Sequence, residues 1–217
     1  MIAITFFNRN KPEKIEIQQG YNLWSAHYAK EKNPIKSASD KSVKEMLPDL
    51  TGKSVIDAGC GTGYFCQYAE QAGAERITGI DFSEGMIAQA KQNCKRTRFI
   101  TSQIQDLQLN ENADVIICAL VLGHLNQLNP ALSAFARNLK DGGLLVLTDF
   151  HPILSERGQK RTFQMGRKVF EIPHYIHSLQ EYRNNLKETG FILEEMKDLP
   201  WRGEPVVFAL RARKDTA

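Results

Sequence analysis

From Val55 to Phe65 a short apolar run ends in an acid, Asp57, passes alternate glycines at Gly59, Gly61 and Gly63, and re-emerges as a helical pattern from Tyr64 to Gln71. Glycine enters left-handed backbone without steric cost and lets another group lie against bare peptide. The stretch therefore reads as a buried strand, a tight turn and the start of a helix, where a nucleotide-like ligand can rest. A simple packing turn, with the helix close on the strand, is the alternative. Against it, Asp57 and a second acid, Asp81, which ends the next apolar run, fall within one strand-helix-strand unit.

A dinucleotide fingerprint would need glycine where Tyr64 stands. A carboxylate at Asp57 would repel a pyrophosphate but suits a ligand carrying positive charge. S-adenosylmethionine meets that requirement, with an ammonium, a sulfonium and no phosphate, and an acid at Asp81 can accept both ribose hydroxyls. The runs 57–63 (DAGCGTG) and 79–86 (GIDFSEGM) resemble the class I (Rossmann-like) S-adenosylmethionine-dependent methyltransferases, in their small-molecule group. That resemblance implies an α/β fold with a seven-stranded, mostly parallel sheet in the order 3-2-1-4-5-7-6, the last strand antiparallel, and helices on both faces. It also implies that Asp57 faces the methionine end, that Phe82 and Ile104 sandwich the adenine, and that Gln103 reads its amino group. Gln103 stands where the family stretch carries an acid; its carbonyl can accept the same hydrogen bond without charge. Cys60, Met86 and Ala119 complete the expected cofactor wall.

With 217 residues the chain suits one α/β domain. The expected divisions are an arm and lid over 1–48, a cofactor-binding core over 49–150, a substrate-cap insertion over 151–177, and a C-terminal helix and hairpin over 178–217. A net charge of +3 does not argue for nucleic acid. Four cysteines without C-x-x-C spacing read as reduced thiols of a cytoplasmic protein. The N-terminus lacks a basic-apolar-cleavage pattern, and no apolar run reaches the ~18 residues of a membrane span.

Along the chain, 2–7 and 14–18 have strand character and suggest a small hairpin; a partly ordered arm is the other reading. Tyr21, Trp24 and Tyr28 share one helical face, which serves either as packing surface or as an aromatic lid. The lid resembles a Y-D-x-W-A-x-x-Y-D run of the family, with Asn22 in place of the acid. A helix is expected over 37–47, closed by Pro48, and strands over 54–58, 76–80, 98–102, 114–118 and 144–148. Further helices follow at 84–94 behind Ser83 and at 130–139. After the fifth strand, 162–165 and 168–172 read as a hairpin roofing the pocket. A helix from Ser178 to Thr189 leads into two final antiparallel strands, 191–199 and 206–213.

Methyl transfer from a sulfonium needs alignment, exclusion of water and, for some acceptors, a base. His151, after the fifth strand, is the first candidate base, with a structural role in the loop before Pro152 as the equal alternative. His124, His174, Tyr175 and Trp201 are candidate substrate-lining residues. No Asn-Pro-Pro-Tyr or Asp-Pro-Pro-Tyr run follows the fourth strand, and no Pro-Cys pair exists, which argues against amino-group methylation of adenine and against covalent cytosine chemistry. Residues 119–125 hold no carboxylate for a metal beside His124, so none is expected. Arg157, Lys160, Arg161, Arg167 and Lys168 form a local basic excess, either a solvated face or a contact for an anionic substrate or RNA. The expected acceptor is a small molecule, on a protein that is a monomer or homodimer. Methylation of RNA or protein, and cofactor binding without transfer, are the competing readings.

Overall fold

The structure, a computed structural model, describes residues 11–31 and 33–216, without the side chains of 155 and 156. In chain order the first elements are strand β1 (Glu13–Lys14), helix α1 (Ile17–Tyr28), helix α2 (Pro34–Met46), strand β2 (Ser54–Ala58), helix α3 (Tyr64–Gln71), strand β3 (Arg76–Asp81) and helix α4 (Glu84–Asn93). Strands β4 (Arg98–Thr101) and β5 (Ala113–Ala119), helix α5 (Asn129–Asn138), strand β6 (Leu139–Phe150) and helix α6 (Ile153–Glu156) follow. Strands β7 (Arg161–Met165) and β8 (Lys168–Ile172), helix α7 (Leu179–Glu188) and strands β9 (Phe191–Trp201) and β10 (Glu204–Lys214) complete the chain.

Seven strands form the main sheet in the order β4-β3-β2-β5-β6-β10-β9. The first five run parallel, and β10 is antiparallel to both β6 and β9. This is the seven-stranded, mostly parallel sheet expected, with β2 as its first core strand. Strand β5 shows why both faces are covered. Val115 and Ile117 pack with α2 and α3 residues such as Val43, Met46 and Phe65, whereas Ile116 and Cys118 pack with Leu132, Phe135 and Tyr182 of α5 and α7. A strand buried on both faces reads as a continuous apolar run, as this one does. Strand β6 begins earlier than expected, at Leu139, because a bulge absorbs Lys140 to Gly143 before Leu144 pairs with Val115.

The ends of the helices follow local chemistry. Ser83 accepts the Met86 N–H, and Ser178 with Glu181 forms a reciprocal capping box. Helix α2 starts at Pro34, ahead of the expected 37, because Asn33 Oδ1 accepts the Ile35 and Lys36 amides and proline occupies the first turn.

The N-terminal hairpin is corrected. Residues 2–7 lie outside the described residues, and 14–18 is not one strand. Glu13 and Lys14 instead pair in parallel with Phe170 and Glu171 of β8, and α1 begins at Ile17. Together β1, β8 and β7 make a second, three-stranded sheet. Burial drives the change: Ile15, Ile17, Tyr21 and Trp24 all join Phe163, Phe170 and Ile172 in one apolar cluster, and helical spacing brings Ile17, Tyr21 and Trp24 to one face. The 162–172 hairpin forms as expected, clasping α1 against the main sheet.

Four of the five basic residues around this hairpin are ion-paired with acids of the chain. Arg157 pairs with Glu204, Lys160 with Glu171 at 2.7 Å, Arg161 with Asp149 at 2.9 Å and Lys168 with Glu13 at 3.2 Å. Most of the local basic excess is therefore ion-paired within the chain. Among the described residues no helix is long and apolar enough to cross a membrane.

Candidate active site

The turn after β2 is held by backbone hydrogen bonds. The Gly59 and Cys60 amides donate to Ile80 O (2.7 and 2.9 Å), and the Gly61 amide donates to Asp81 Oδ2 (2.9 Å). All three glycines have positive φ, 77° at Gly59, 52° at Gly61 and 86° at Gly63. Their neighbourhoods differ. A Cβ on Gly59 would come within 2.3 Å of Val121 Cγ2, and one on Gly63 would press on Cys94 and Ala90 of the α4 region. A Cβ on Gly61 would meet only Tyr28 Cε1, at 3.9 Å. Gly59 and Gly63 thus allow close packing, and Gly61 presents bare backbone to an open space.

That space is a cavity of about 620 Å³ at the carboxyl ends of β2, β3 and β5, where open α/β sheets bind ligands. Gly59, Gly61, Asp81, Phe82, Met86, Gln103, Ile104 and Ala119 line it, and Tyr21, Tyr28, His124 and Tyr175 close its far side. Asp81 is 7 % exposed; its Oδ1 accepts the Ser83 amide at 2.9 Å. Burial raises its pKa to about 6, against the lowering effect of the Ser83, Gly61 and Phe82 amides. Helix α1 is seated on α4 through Asn22, whose Oδ1 accepts Ser83 Oγ (2.7 Å) and the Gly85 amide (3.0 Å). The acid that Asn22 replaces is not needed for this contact, since a neutral carbonyl oxygen makes both bonds.

Several expected residues sit elsewhere. Asp57 does not line the cavity: its carboxylate lies buried behind the glycine turn and accepts Cys66 Sγ at 3.4 Å. Cys60 and Gly63, within the turn itself, are not among the residues lining the cavity. Trp24 turns away from the cavity, stacks on Phe163 (4.8 Å, 12°) and donates Nε1 to Glu31 at 2.8 Å, so only Tyr21 and Tyr28 of the aromatic face reach the ligand space. His151 is not at the cavity. Its Nδ1 accepts the Ile153 amide (3.3 Å), its Nε2 lies 3.6 Å from Asp198 on β9, and its amide donates to Val206 O. The ring thus closes the turn into α6, the alternative role considered for it. Trp201 ends β9 within an apolar cluster with Ile35, Leu154 and Val207. His174 lines a smaller pocket with Tyr182 and Arg161, beside the main cavity.

Burial pushes the Asp57 carboxyl up to about 7, and the nearby Asp81 charge adds to the rise. A raised folded-state value means the folded protein holds this proton more tightly than the unfolded chain. Its effect is absent below about pH 4, and stability falls as pH rises towards about 7, by roughly 2–4 kcal/mol if the group acts alone. Asp57→Asn should therefore stabilise the protein at pH 8 and change little at pH 4. Urea unfolding at both values checks this; an equal effect at the two pH values would refute it.

A buried network that the sequence did not suggest joins the cavity wall to the hairpin. Asp149, 2 % exposed, accepts from Arg161 Nη2 (2.9 Å), the Gly123 amide (2.5 Å), the Phe150 amide (2.7 Å) and Tyr182 Oη (3.0 Å). Arg161 Nη1 lies 2.9 Å from His124 Nε2, and Tyr21 Oη lies 2.7 Å from the same nitrogen. Burial and the Arg161 charge keep the His124 imidazole neutral, well below its usual range. With Nε2 accepting, Nδ1 carries the proton towards Pro173 O at 3.2 Å. The one signal available beforehand was an acid, Asp149, ending an otherwise apolar strand.

A sequence profile described as a methyltransferase domain matches residues 27–195. This chain belongs to that family. A Haemophilus influenzae protein of uncharacterized function is 25 % identical over 191 residues, 81 % of this chain and 75 % of its own length. Malonyl-[acyl-carrier protein] O-methyltransferase of Pectobacterium atrosepticum is 29 % identical over 158 residues. That match takes in 70 % of this chain but 62 % of the relative, so the chain spans less than two thirds of that enzyme. Among solved structures, magnesium protoporphyrin IX methyltransferase from Synechocystis, with bound S-adenosylmethionine, superposes with a TM-score of 0.68 at 23 % identity. The match spans 92 % of this chain and 93 % of that one, and it establishes the shared Rossmann-like fold of class I methyltransferases.

Proposed function

We propose that this methyltransferase-family chain binds S-adenosylmethionine in the 620 Å³ cavity and transfers its methyl group to a small-molecule acceptor. The observation that carries the reading is the pairing of Gly61, whose missing Cβ leaves the cavity open, with Asp81, a buried carboxylate on the same wall. When bound, the cofactor supplies an activated methyl group on a sulfonium that leaves as a neutral thioether. The chain's residues do the rest. Asp81 accepts the ribose hydroxyls, Phe82 and Ile104 flank the adenine, Gln103 accepts its amino group, and Met86 and Ala119 fill the wall between them. Tyr21 and Tyr28 exclude water from the reacting end. A cavity walled in part by helix α1 favours a small acceptor over a macromolecule, and most basic side chains of the hairpin are already ion-paired.

Asp81→Ala should weaken S-adenosylhomocysteine binding by about 1–3 kcal/mol, the scale of losing hydrogen bonds to a charged acceptor. Isothermal titration on a variant with native circular dichroism measures it. Unchanged affinity would remove the cofactor assignment.

A further inference from the structure

The charge along the main cavity is one-sided. Its wall carries two carboxyl side chains, Glu16 and Asp81, and among the described residues no lysine or arginine lines it. Arg161 is not part of that wall, and its charge is matched by Asp149 at 2.9 Å. Rings make up much of the remaining surface. Tyr21 lies 6.3 Å from Tyr28 and 6.4 Å from Phe82, centroid to centroid, and Tyr175 lines the cavity while half exposed.

Proton placement fixes what Tyr21 can offer. Arg161 Nη1 is an obligate donor and lies 2.9 Å from His124 Nε2, so that nitrogen carries no proton. Tyr21 Oη, 2.7 Å from the same nitrogen, must therefore donate to it. With its proton spent there, the phenol oxygen can only accept from a ligand in the cavity. The same arrangement leaves no free base beside Tyr21. His124 Nε2 is taken by Tyr21 and Arg161, and burial pushes Tyr21 up to about 12 and Tyr28 higher still, so both phenols keep their protons. Asp81 is engaged at the glycine turn by the Gly61 and Ser83 amides, and Glu16 stands at the start of α1, more than one helical turn from Tyr21.

We propose that the methyl acceptor is a neutral aromatic amine, bound with an N–H donated to Tyr21 Oη. The proposal rests on the methyl-transfer reading above and adds the class of the acceptor. An anionic acceptor would meet two carboxylates and, among the described residues, no cation. A hydroxyl would have to surrender its proton to a base. A nitrogen lone pair needs neither. Alkyl amines, like the lysine side chain, stay protonated to about pH 10, so an amine that is neutral near pH 7 is one conjugated with a ring. Rings also suit these walls. The nitrogen lone pair forms the new bond to the methyl carbon as the carbon–sulfur bond breaks, its electron pair leaving on sulfur. No proton moves in the step: the nitrogen keeps its hydrogen, and the positive charge passes from sulfur to nitrogen. The aromatic faces and carboxylates of the cavity thus hold a cation both before and after transfer.

Calorimetric titration of aniline, phenol, toluene and benzoate into the S-adenosylhomocysteine complex tests the polarity of the site. Aniline and phenol, which can donate to Tyr21, should bind about two- to tenfold tighter than toluene, the scale of one neutral hydrogen bond, with benzoate the weakest of the four. Tyr21→Phe keeps the ring but removes the accepting oxygen, so it should erase the preference over toluene. Incubation of the unaltered protein with S-adenosylmethionine and each compound, read by mass spectrometry, should yield N-methylaniline and neither anisole nor methyl benzoate. Benzoate bound as tightly as aniline overturns the proposal whether or not the variant folds, as does aniline that fails to bind, or anisole or methyl benzoate formed in place of N-methylaniline. A preference for aniline over toluene retained in Tyr21→Phe overturns it as well. A protein that binds no S-adenosylhomocysteine would remove the cofactor reading and the proposal with it, whereas the other failures leave the cofactor reading standing.

Discussion

Asp149→Ala should lower the free energy of unfolding by about 3–5 kcal/mol, the cost of breaking a buried ion pair from one side. The carboxylate is buried and satisfied by donors from four places: the hairpin (Arg161), the turn after β5 (Gly123), its own strand end (Phe150) and helix α7 (Tyr182). Removing it leaves a guanidinium without its counter-charge and takes the acceptor from two amides and a phenol as well. Urea denaturation gives the value. The double variant Asp149→Leu, Arg161→Met, which removes both charges, should recover more than half of the loss, because replacing a whole buried pair by apolar groups is far less costly than halving it. A single-variant loss under about 1 kcal/mol would show that the network does not hold the hairpin to the sheet.

Gly59→Ala carries the second large effect. Its φ of 77° costs a residue with a Cβ about 1–2 kcal/mol. The added carbon would also lie 2.3 Å from Val121 Cγ2, and overpacking of this kind costs a further ~1–3 kcal/mol. The sum, roughly 2–5 kcal/mol, is separable: Val121→Ala in the same chain should restore the steric part and leave the backbone part. Thermal and urea unfolding of the single and double variants measure both. A Gly59→Ala protein as stable as the parent would mean that the turn has another conformation.

The contrast between these two positions shows what could be read in advance. Gly59 announced itself, since alternate glycines after an apolar run and an acid specify a strand, a turn and a helix within eleven residues. Asp81, the capping serines, the two-faced apolar run of β5 and the 162–172 hairpin were legible for the same reason: each rests on periodicity, turn stereochemistry or a cap spanning a few neighbours. Asp149 and Arg161 were each visible only as charges. Their partnership depends on how a hairpin folds back across the sheet end, and no local rule carries that.

The same distinction explains the corrections. Asp57 was aimed at the cavity because it stands beside the glycines, but the pleat of β2 turns its side chain behind the turn, to Cys66. His151 was placed at the substrate because it follows β6; the pairing of that strand with β10 carries it instead to the Val206 and Asp198 side. Trp24 shares its helical face with Tyr21 and Tyr28, yet stacking on Phe163 of the hairpin makes it core. By itself, then, the sequence determined the α/β class, the glycine turn, the acid at Asp81 and the elements that surround the cavity, because those follow from short-range stereochemistry. Only the tertiary structure decided which side chains face the ligand space, and that Arg161 of the hairpin pairs with Asp149 at the end of β6, because side-chain direction and long-range charge pairing are set by sheet register and by packing between distant segments.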